Sequence, residues 1–285
     1  MTGRLMVYHQ SHGTGADFVE LQPMIASGRL TQLIIAAVHI TDDGRIVLND
    51  HDHDDPYHDQ LWSEVSRVRA AGVPVLAMVG GWAPGTTDKL DGAGLARYYP
   101  PLRDFLARYA FDGIDIDVEQ DMSLAGVIAL IDALRADFGP DFAIILAPVA
   151  SALAGGGNLS GFDYEELYRE RGHEIAWVNA QFYSGFGSAA DPADYVTIIE
   201  RGVYPPDKVV LGMIGNPADG HGYVDVDRVA ETVRDLVQRY PEFGGVDVWE
   251  YFRALPGGRS EPWRWIDLMA DAMTPGPRAT SDHQA

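Results

Sequence analysis

Short apolar runs of strand length alternate with longer amphipathic stretches along almost the whole chain. The runs Leu5–His9, Leu33–Ile40, Val73–Val79, Gly113–Glu119, Ala143–Pro148, Ile175–Tyr183, Val209–Ile214 and Val246–Trp249 predict eight strands. Helix-like segments fall near residues 17–28, 59–71, 93–109, 123–138, 162–171, 191–202, 225–239 and 262–273. Nearly continuous apolarity is what a strand shows when both its faces are covered, which favours parallel pairing. Eight strand–helix units close most simply into an α/β fold of the (β/α)8 TIM-barrel type, one domain over residues 1–273 without an inserted domain; a doubly wound open sheet is the alternative. The stretch Ala70-Ala71-Gly72-Val73-Pro74 ends a helix and opens a strand, and Phe138-Gly139-Pro140-Asp141 does the same before the fifth strand. Residues 274–285 read as a disordered tail.

One strand breaks the apolar rule. In Phe111-Asp112-Gly113-Ile114-Asp115-Ile116-Asp117-Val118-Glu119, three acids stand at every second position. Strand side chains alternate between faces, so Asp115, Asp117 and Glu119 share one face and Ile114, Ile116 and Val118 the other. Same-face neighbours lie about 6.5–7 Å apart, near enough for long side chains to meet. Three such carboxylates cannot all ionise cheaply, so at least one should keep a proton near neutral pH, which is what a general acid needs. A solvated surface strand and a site for a hard cation such as Mg²⁺ are the competing readings. Against the metal, no His lies in the strand and no second acidic pair sits at a strand end.

Barrel chemistry collects at the C-terminal strand ends, which draws attention to three further segments. In Trp177-Val178-Asn179-Ala180-Gln181-Phe182-Tyr183 the odd positions place Asn179, Gln181 and Tyr183 on one face. In the last strand Asp247 and Trp249 share a face, and Trp249 suits the floor beneath a sugar ring. After the third strand, Gly80-Gly81 permits close approach of backbone or ligand. Elsewhere, His51-Asp52-His53-Asp54-Asp55 reads as a solvated acidic loop, Gly92-Ala93-Gly94 lacks the preceding strand of a dinucleotide loop, and neither Ser160 nor Ser184 sits in a nucleophile motif.

Composition narrows the partners. With 21 basic against 42 acidic residues, the net charge is −21, a field that repels nucleic acid, anionic membranes and acidic polymers but admits neutral sugars. The absence of cysteine removes disulfides, thiolate nucleophiles and Cys-based zinc sites. No apolar run reaches the roughly 18 residues of a membrane span. The opening residues lack the features of a secretory leader, so a cytoplasmic location is expected, with secretion the alternative if a leader has been removed.

The segment Asp112-Gly113-Ile114-Asp115-Ile116-Asp117-Val118-Glu119 resembles the DGxDxDxE signature of family 18 glycoside hydrolases, and Gly80-Gly81, Ala147-Pro148, Gln181-Phe182-Tyr183 and Trp249 follow in the same order. Longer stretches are similar to the fungal endo-β-N-acetylglucosaminidases of that family: Leu146–Leu153, Asn158–Phe162, Gln181–Ser188, Trp249–Phe252 and Leu255–Gly258. The resemblance runs from about residue 4 to 273. It implies cofactor-free, metal-free, retaining hydrolysis in which the 2-acetamido group of the sugar, not a protein carboxylate, attacks the anomeric carbon. In that scheme Glu119 is the acid, Asp117 holds the acetamide N–H, Asp115 shares a proton with Asp117 and frees it to turn toward Glu119, and Tyr183 bonds the acetamide oxygen. Gln181, Trp249, Asn179, Gly80, Gly81 and Trp82 would line the glycan. The implied substrate is the bond between the two N-acetylglucosamines of an N-glycan core, cut by a monomer, with chitin or chitooligosaccharides the alternative and a non-catalytic lectin-like barrel a remote one. Three features depart from the fungal pattern: Trp82 stands where a small residue is expected, Asp247 where an apolar one is, and the loop Gly215–Gly222 differs.

Overall fold

Leu33 to Val38 are all buried, on both faces of their strand, and that requirement for cover shapes the whole molecule. A computed structural model describes residues 3–274. Its strands are β1 (Arg4–His9), β2 (Gln32–Ile40), β3 (Ile46–Leu48), β4 (His51–Asp52), β5 (Val75–Gly80), β6 (Gly113–Asp117), β7 (Ala143–Leu146), β8 (Val178–Gln181), β9 (Val209–Ile214) and β10 (Gly245–Trp249). Eight of them pair in parallel in the order β1-β10-β9-β8-β7-β6-β5-β2, and pairing of β1 with β2 closes the ring. This is the (β/α)8 barrel. The short β3 and β4 extend β2 as an antiparallel hairpin. His51 and Asp52, expected in a plain loop, therefore belong to a two-residue strand, too short to carry a readable alternation.

The shell comprises α1 (Gln22–Ala26), α2 (Asp59–Ala70), α3 (Leu95–Arg108), α4 (Leu124–Phe138), α5 (Ala150–Leu153), α6 (Tyr164–Arg171), α7 (Ala193–Glu200), α8 (Val226–Arg239) and α9 (Arg264–Ala272). Local chemistry starts several of them: the Ser123 hydroxyl accepts from Gly126 N, Asp163 from Glu165 and Glu166 N, and Asp225 from Asp227 N. The first helix is five residues, far shorter than the expected 17–28. Between β9 and α8 only a loop intervenes, without an inserted domain. Thr274 bonds back to Ala270 O and Asp271 O; the remainder of the expected tail, 275–285, lies outside the described residues.

Two apolar cores result. The larger joins the outer faces of the strands, including Ile114, Ile116 and Val118, to the helices. The smaller fills the barrel interior with Met6, Ile34, Leu76, Met78, Ile145, Trp177 and Val210, and Tyr8 caps it. Asp115 registers between Met78 of β5 and Ile145 of β7, both interior residues, so the acidic face points into the barrel.

Candidate active site

The acidic row leaves the barrel as its strand ends. β6 stops at Asp117, two residues before the predicted end, because its last partner is Gly80 and neither neighbouring strand continues beside Val118 and Glu119. Glu119 thus rides a loop, but a fixed one. Ser160 donates to Val118 O at 2.5 Å, Met122 N donates to Ser160 O at 3.0 Å, and Gln120 Nε2 donates to Gly81 O at 2.8 Å. The three acids sit at descending depth. Asp115 is wholly enclosed, Asp117 is buried, and Glu119 is half-buried at a cleft of about 350 Å³.

That cleft is lined by Asp117, Glu119, Gln181, Tyr183, Trp249 and, at its rim, Gly81, Trp82, Leu159, Phe186 and Asp219 among others. The volume suits a small ligand or one to two sugar rings of a longer one. Trp82 is 80% exposed, the sole large hydrophobic side chain so displayed among the described residues. An apolar ring held in water at a cleft mouth is material for stacking.

Asp117 and Glu119 hydrogen-bond each other, and both are raised above the ordinary carboxylate range. For Asp117 the largest cause is burial, followed by repulsion from Glu119 and Asp115; for Glu119 it is burial, opposed by bonds from Gln181 and Asp117. Each acid therefore makes it harder for the other to ionise, which favours a proton shared within the pair. Gln181 spans it: its amide nitrogen lies 3.2 Å from Asp117 Oδ1, 3.3 Å from Glu119 Oε1, and donates to Ala147 O at 2.8 Å. Beneath them, burial raises Asp115 to about 7 although the Tyr8 hydroxyl donates to its Oδ2 at 2.6 Å. The Tyr183 hydroxyl is also raised, by burial first and then by the surrounding acids. Among the described residues no cation offsets these charges, and no group of three His, Asp or Glu is disposed to hold a metal ion.

Two predicted ligand contacts lie elsewhere. Asn179 does not reach the cleft: it is enclosed one layer down, donating to Tyr8 OH at 2.7 Å and accepting from Trp177 Nε1 at 2.9 Å, so both ends of its carboxamide are spent on the protein. Gly80 is also outside the cleft lining. Its φ is +104°, and a Cβ there would fall 2.2 Å from Asp117 O, so the glycine lets β5 approach β6 rather than a sugar. Gly81, Trp82, Gln181, Tyr183 and Trp249 do line the cleft. Sequence reasoning missed Tyr8, an aromatic in an otherwise apolar strand. It also missed Glu250, whose carboxylate accepts from Gln10 N (2.9 Å), Ser11 N (2.8 Å) and Ser11 Oγ (2.7 Å) and ties the end of β10 to the loop after β1. Asp219, paired with Arg253 at 2.5 Å, carried no signal beyond its place in a divergent loop.

A barrel with coupled carboxylates at its C-terminal mouth, an amide across them and aromatic rings around them defines a hydrolase of the glycosidase class. The chain belongs to glycosyl hydrolases family 18, whose model matches residues 4–213. It is similar to the solved structure of a fungal endo-beta-N-acetylglucosaminidase of that family, with 44% identity, 96% of this chain and 99% of that one covered, and a TM-score of 0.90. It is equally similar to chitinase ChiC from Aspergillus fumigatus, with 45% identity, 95% and 100% coverage, and a TM-score of 0.87. More distantly, it shares 24% identity over 205 residues with Endochitinase 4 of Metarhizium anisopliae, spanning 59% of this chain and 72% of that protein. Chitinase 2 of Rhizopus oligosporus is 29% identical over 216 residues, which make up 69% of this chain but 37% of that protein.

Proposed function

We propose that the protein is a retaining, substrate-assisted endo-β-N-acetylglucosaminidase that cleaves the β1,4 bond between the two N-acetylglucosamines of an N-glycan core. The observation that carries the mechanism is the contact between Asp117 and Glu119, whose carboxylates gather on one Gln181 amide nitrogen at 3.2 and 3.3 Å. Two-carboxylate glycosidases hold their acids about 5–5.5 Å apart when one is the nucleophile, and about 6.5–9.5 Å apart when water must fit between them. Acids in direct contact suit neither arrangement, which leaves the acetamide of the substrate as the nucleophile.

In this scheme Glu119 gives its proton to the glycosidic oxygen as the bond to the anomeric carbon breaks. The acetamide oxygen closes on that carbon to form an oxazolinium ion, while Asp117 accepts the acetamide N–H and Tyr183 donates to its oxygen. Glu119, now a carboxylate, takes a proton from the water that opens the ring, and the β configuration returns. Gln181 orients both acids, and Trp249 lies under the sugar with Gly81 and Trp82 along the cleft.

The core-glycan reading draws support from the similarity to the fungal endo-beta-N-acetylglucosaminidase and from the short loop after β9, which builds no deep walled groove. A chitinase reading rests on the matching likeness to chitinase ChiC and on the exposed Trp82, a platform for a linear chain of sugars. Incubation with a high-mannose glycoprotein and, separately, with chitopentaose tells them apart. Release of the intact glycan, leaving one sugar on Asn, is expected; cleavage of chitopentaose alone would contradict it. No helix among the described residues is long and apolar enough to cross a membrane. The relatives lend no support to a cytoplasmic location, and a secreted monomer is the accompanying proposal.

A further inference from the structure

A fourth acid lies inside the barrel. Asp247, on β10, is 3% exposed and faces the interior in register with Met6 of β1 and Gly212 of β9. Gly212 makes its space: a Cβ there would stand 3.0 Å from each of the Asp247 carboxylate oxygens. Asp247 Oδ2 has no hydrogen-bond partner, and neither has Oδ1 of Asp115, the other enclosed acid at this level. The titratable groups facing Asp247 are Asp115 from β6, Tyr8 from β1 and Tyr183 from the segment after β8; none is a cation. Enclosure first, then repulsion from Asp115, raises this carboxyl well above the ordinary range, and with no counter-ion facing it the neutral, proton-bearing form is favoured.

The hydrogen bonds set the direction of the network. Asn179 donates to the Tyr8 oxygen, so the Tyr8 proton is directed to Asp115 Oδ2 and Asp115 acts as an acceptor. Asp117 is engaged with Glu119 and leaves Asp115 Oδ1 unserved. We propose that Asp247 is a positioning residue of the catalytic machinery, its carboxyl O–H serving Asp115 Oδ1 through one water, so that Asp117 is released to bond Glu119. An apolar residue at 247 would leave Asp115 with a single donor and draw the Asp117 proton back to it. The inference rests on the acid assignments given above for Glu119 and Asp117, though not on which glycan is cut.

Two substitutions separate a donor from a mere filler: Asp247→Asn keeps an N–H for Asp115, and Asp247→Leu keeps the volume alone. In a crystal structure of Asp247→Leu, Asp117 is expected turned to Asp115, whereas in the parent and in Asp247→Asn it bonds Glu119. On whichever of the two glycans the parent cleaves, Asp247→Leu should lose about tenfold or more in kcat with KM within about twofold, and Asp247→Asn should stay within about threefold of the parent. Because the bond from Asp117 lowers the Glu119 pKa, its loss should also move the basic limb of the kcat profile of Asp247→Leu to higher pH. Asp117 still on Glu119 in the Leu variant, or Leu and Asn variants equal in kcat and pH profile, would overturn the proposal. Full activity in Glu119→Gln would instead overturn the underlying acid assignment, a result the Asp247 variants cannot mimic.

Discussion

Inside the barrel, Asp115, Asp117, Asp247 and Glu119 crowd toward a cleft, while on the outer side of β1 three imidazoles crowd toward one another. His9, His12 and His58 are all buried, with ring centroids 4.8 Å apart for His9 and His12 and 6.0 Å apart for His12 and His58. None of their six ring nitrogens has a hydrogen-bond partner, and Phe18 and Tyr251 pack edge-on against His9. Both regions enclose titratable groups, and in both burial is the first cause of displaced pKa values. The difference lies in what the groups reach. The acids accept hydrogen bonds from Gln181 and Tyr8, Asp117 and Glu119 lie against each other, and the outermost member lines a cavity. The imidazoles pack among other rings and line no open cleft. Burial of ionisable groups therefore does not by itself mark chemistry; convergence on an open cleft with shared protons does.

Replacement of one member from each region should separate them most widely. Glu119→Gln is expected to lower kcat by about 10²–10⁴-fold, the range of a lost general acid, with an unchanged thermal midpoint. His12→Leu should leave kcat within about twofold, since its ring packs on His9 and His58 and does not line the cleft. Comparable losses in both variants would break the distinction.

The smaller expected effect is on stability, and it carries opposite signs. Burial lowers His9 from 6.5 to about 3, with His12 lowered as well. Neutral imidazoles stabilise the fold above the unfolded pKa, and that stability is lost as pH falls from about 6.5 to about 3. Asp115 is raised from 3.8 to about 7, so its contribution is most favourable below about 4 and is lost as pH rises to about 7. At about 1.4 kcal/mol per pH unit, each amounts to a few kcal/mol. Urea midpoints across pH 3–8 should show His9→Leu flattening the acid side and Asp115→Asn the neutral side. Flattening of the same side by both variants would show that the two regions titrate as one.

The sequence reveals these regions unequally, for physical reasons. The acids of β6 are legible because period-two alternation against Ile114, Ile116 and Val118 has one structural meaning. Depth is not legible. Asn179 and Gln181 share a strand face, yet the tilt of barrel strands puts one beneath the cleft floor and the other in it, so a common face does not ensure a common ligand. Tyr8 looks like core because most tyrosines among aliphatics are core, and its use depends on Asp115, a hundred residues away in the chain. The imidazole cluster leaves no trace, because its members come from a strand, a loop and the lead-in to α2 with no shared spacing. Asp247 stands out as an acid in an apolar strand, but only Gly212 and the free oxygen of Asp115 explain it.

The central claim is that the acids at the cleft leave the nucleophilic role to the substrate. It is tested most directly by kcat on glycans whose 2-acetamido group carries zero, one, two or three fluorines. Each fluorine withdraws electron density from the amide oxygen, so the account predicts a steep, progressive fall in kcat along the series. A rate indifferent to fluorination would mean that a protein carboxylate or water attacks the anomeric carbon.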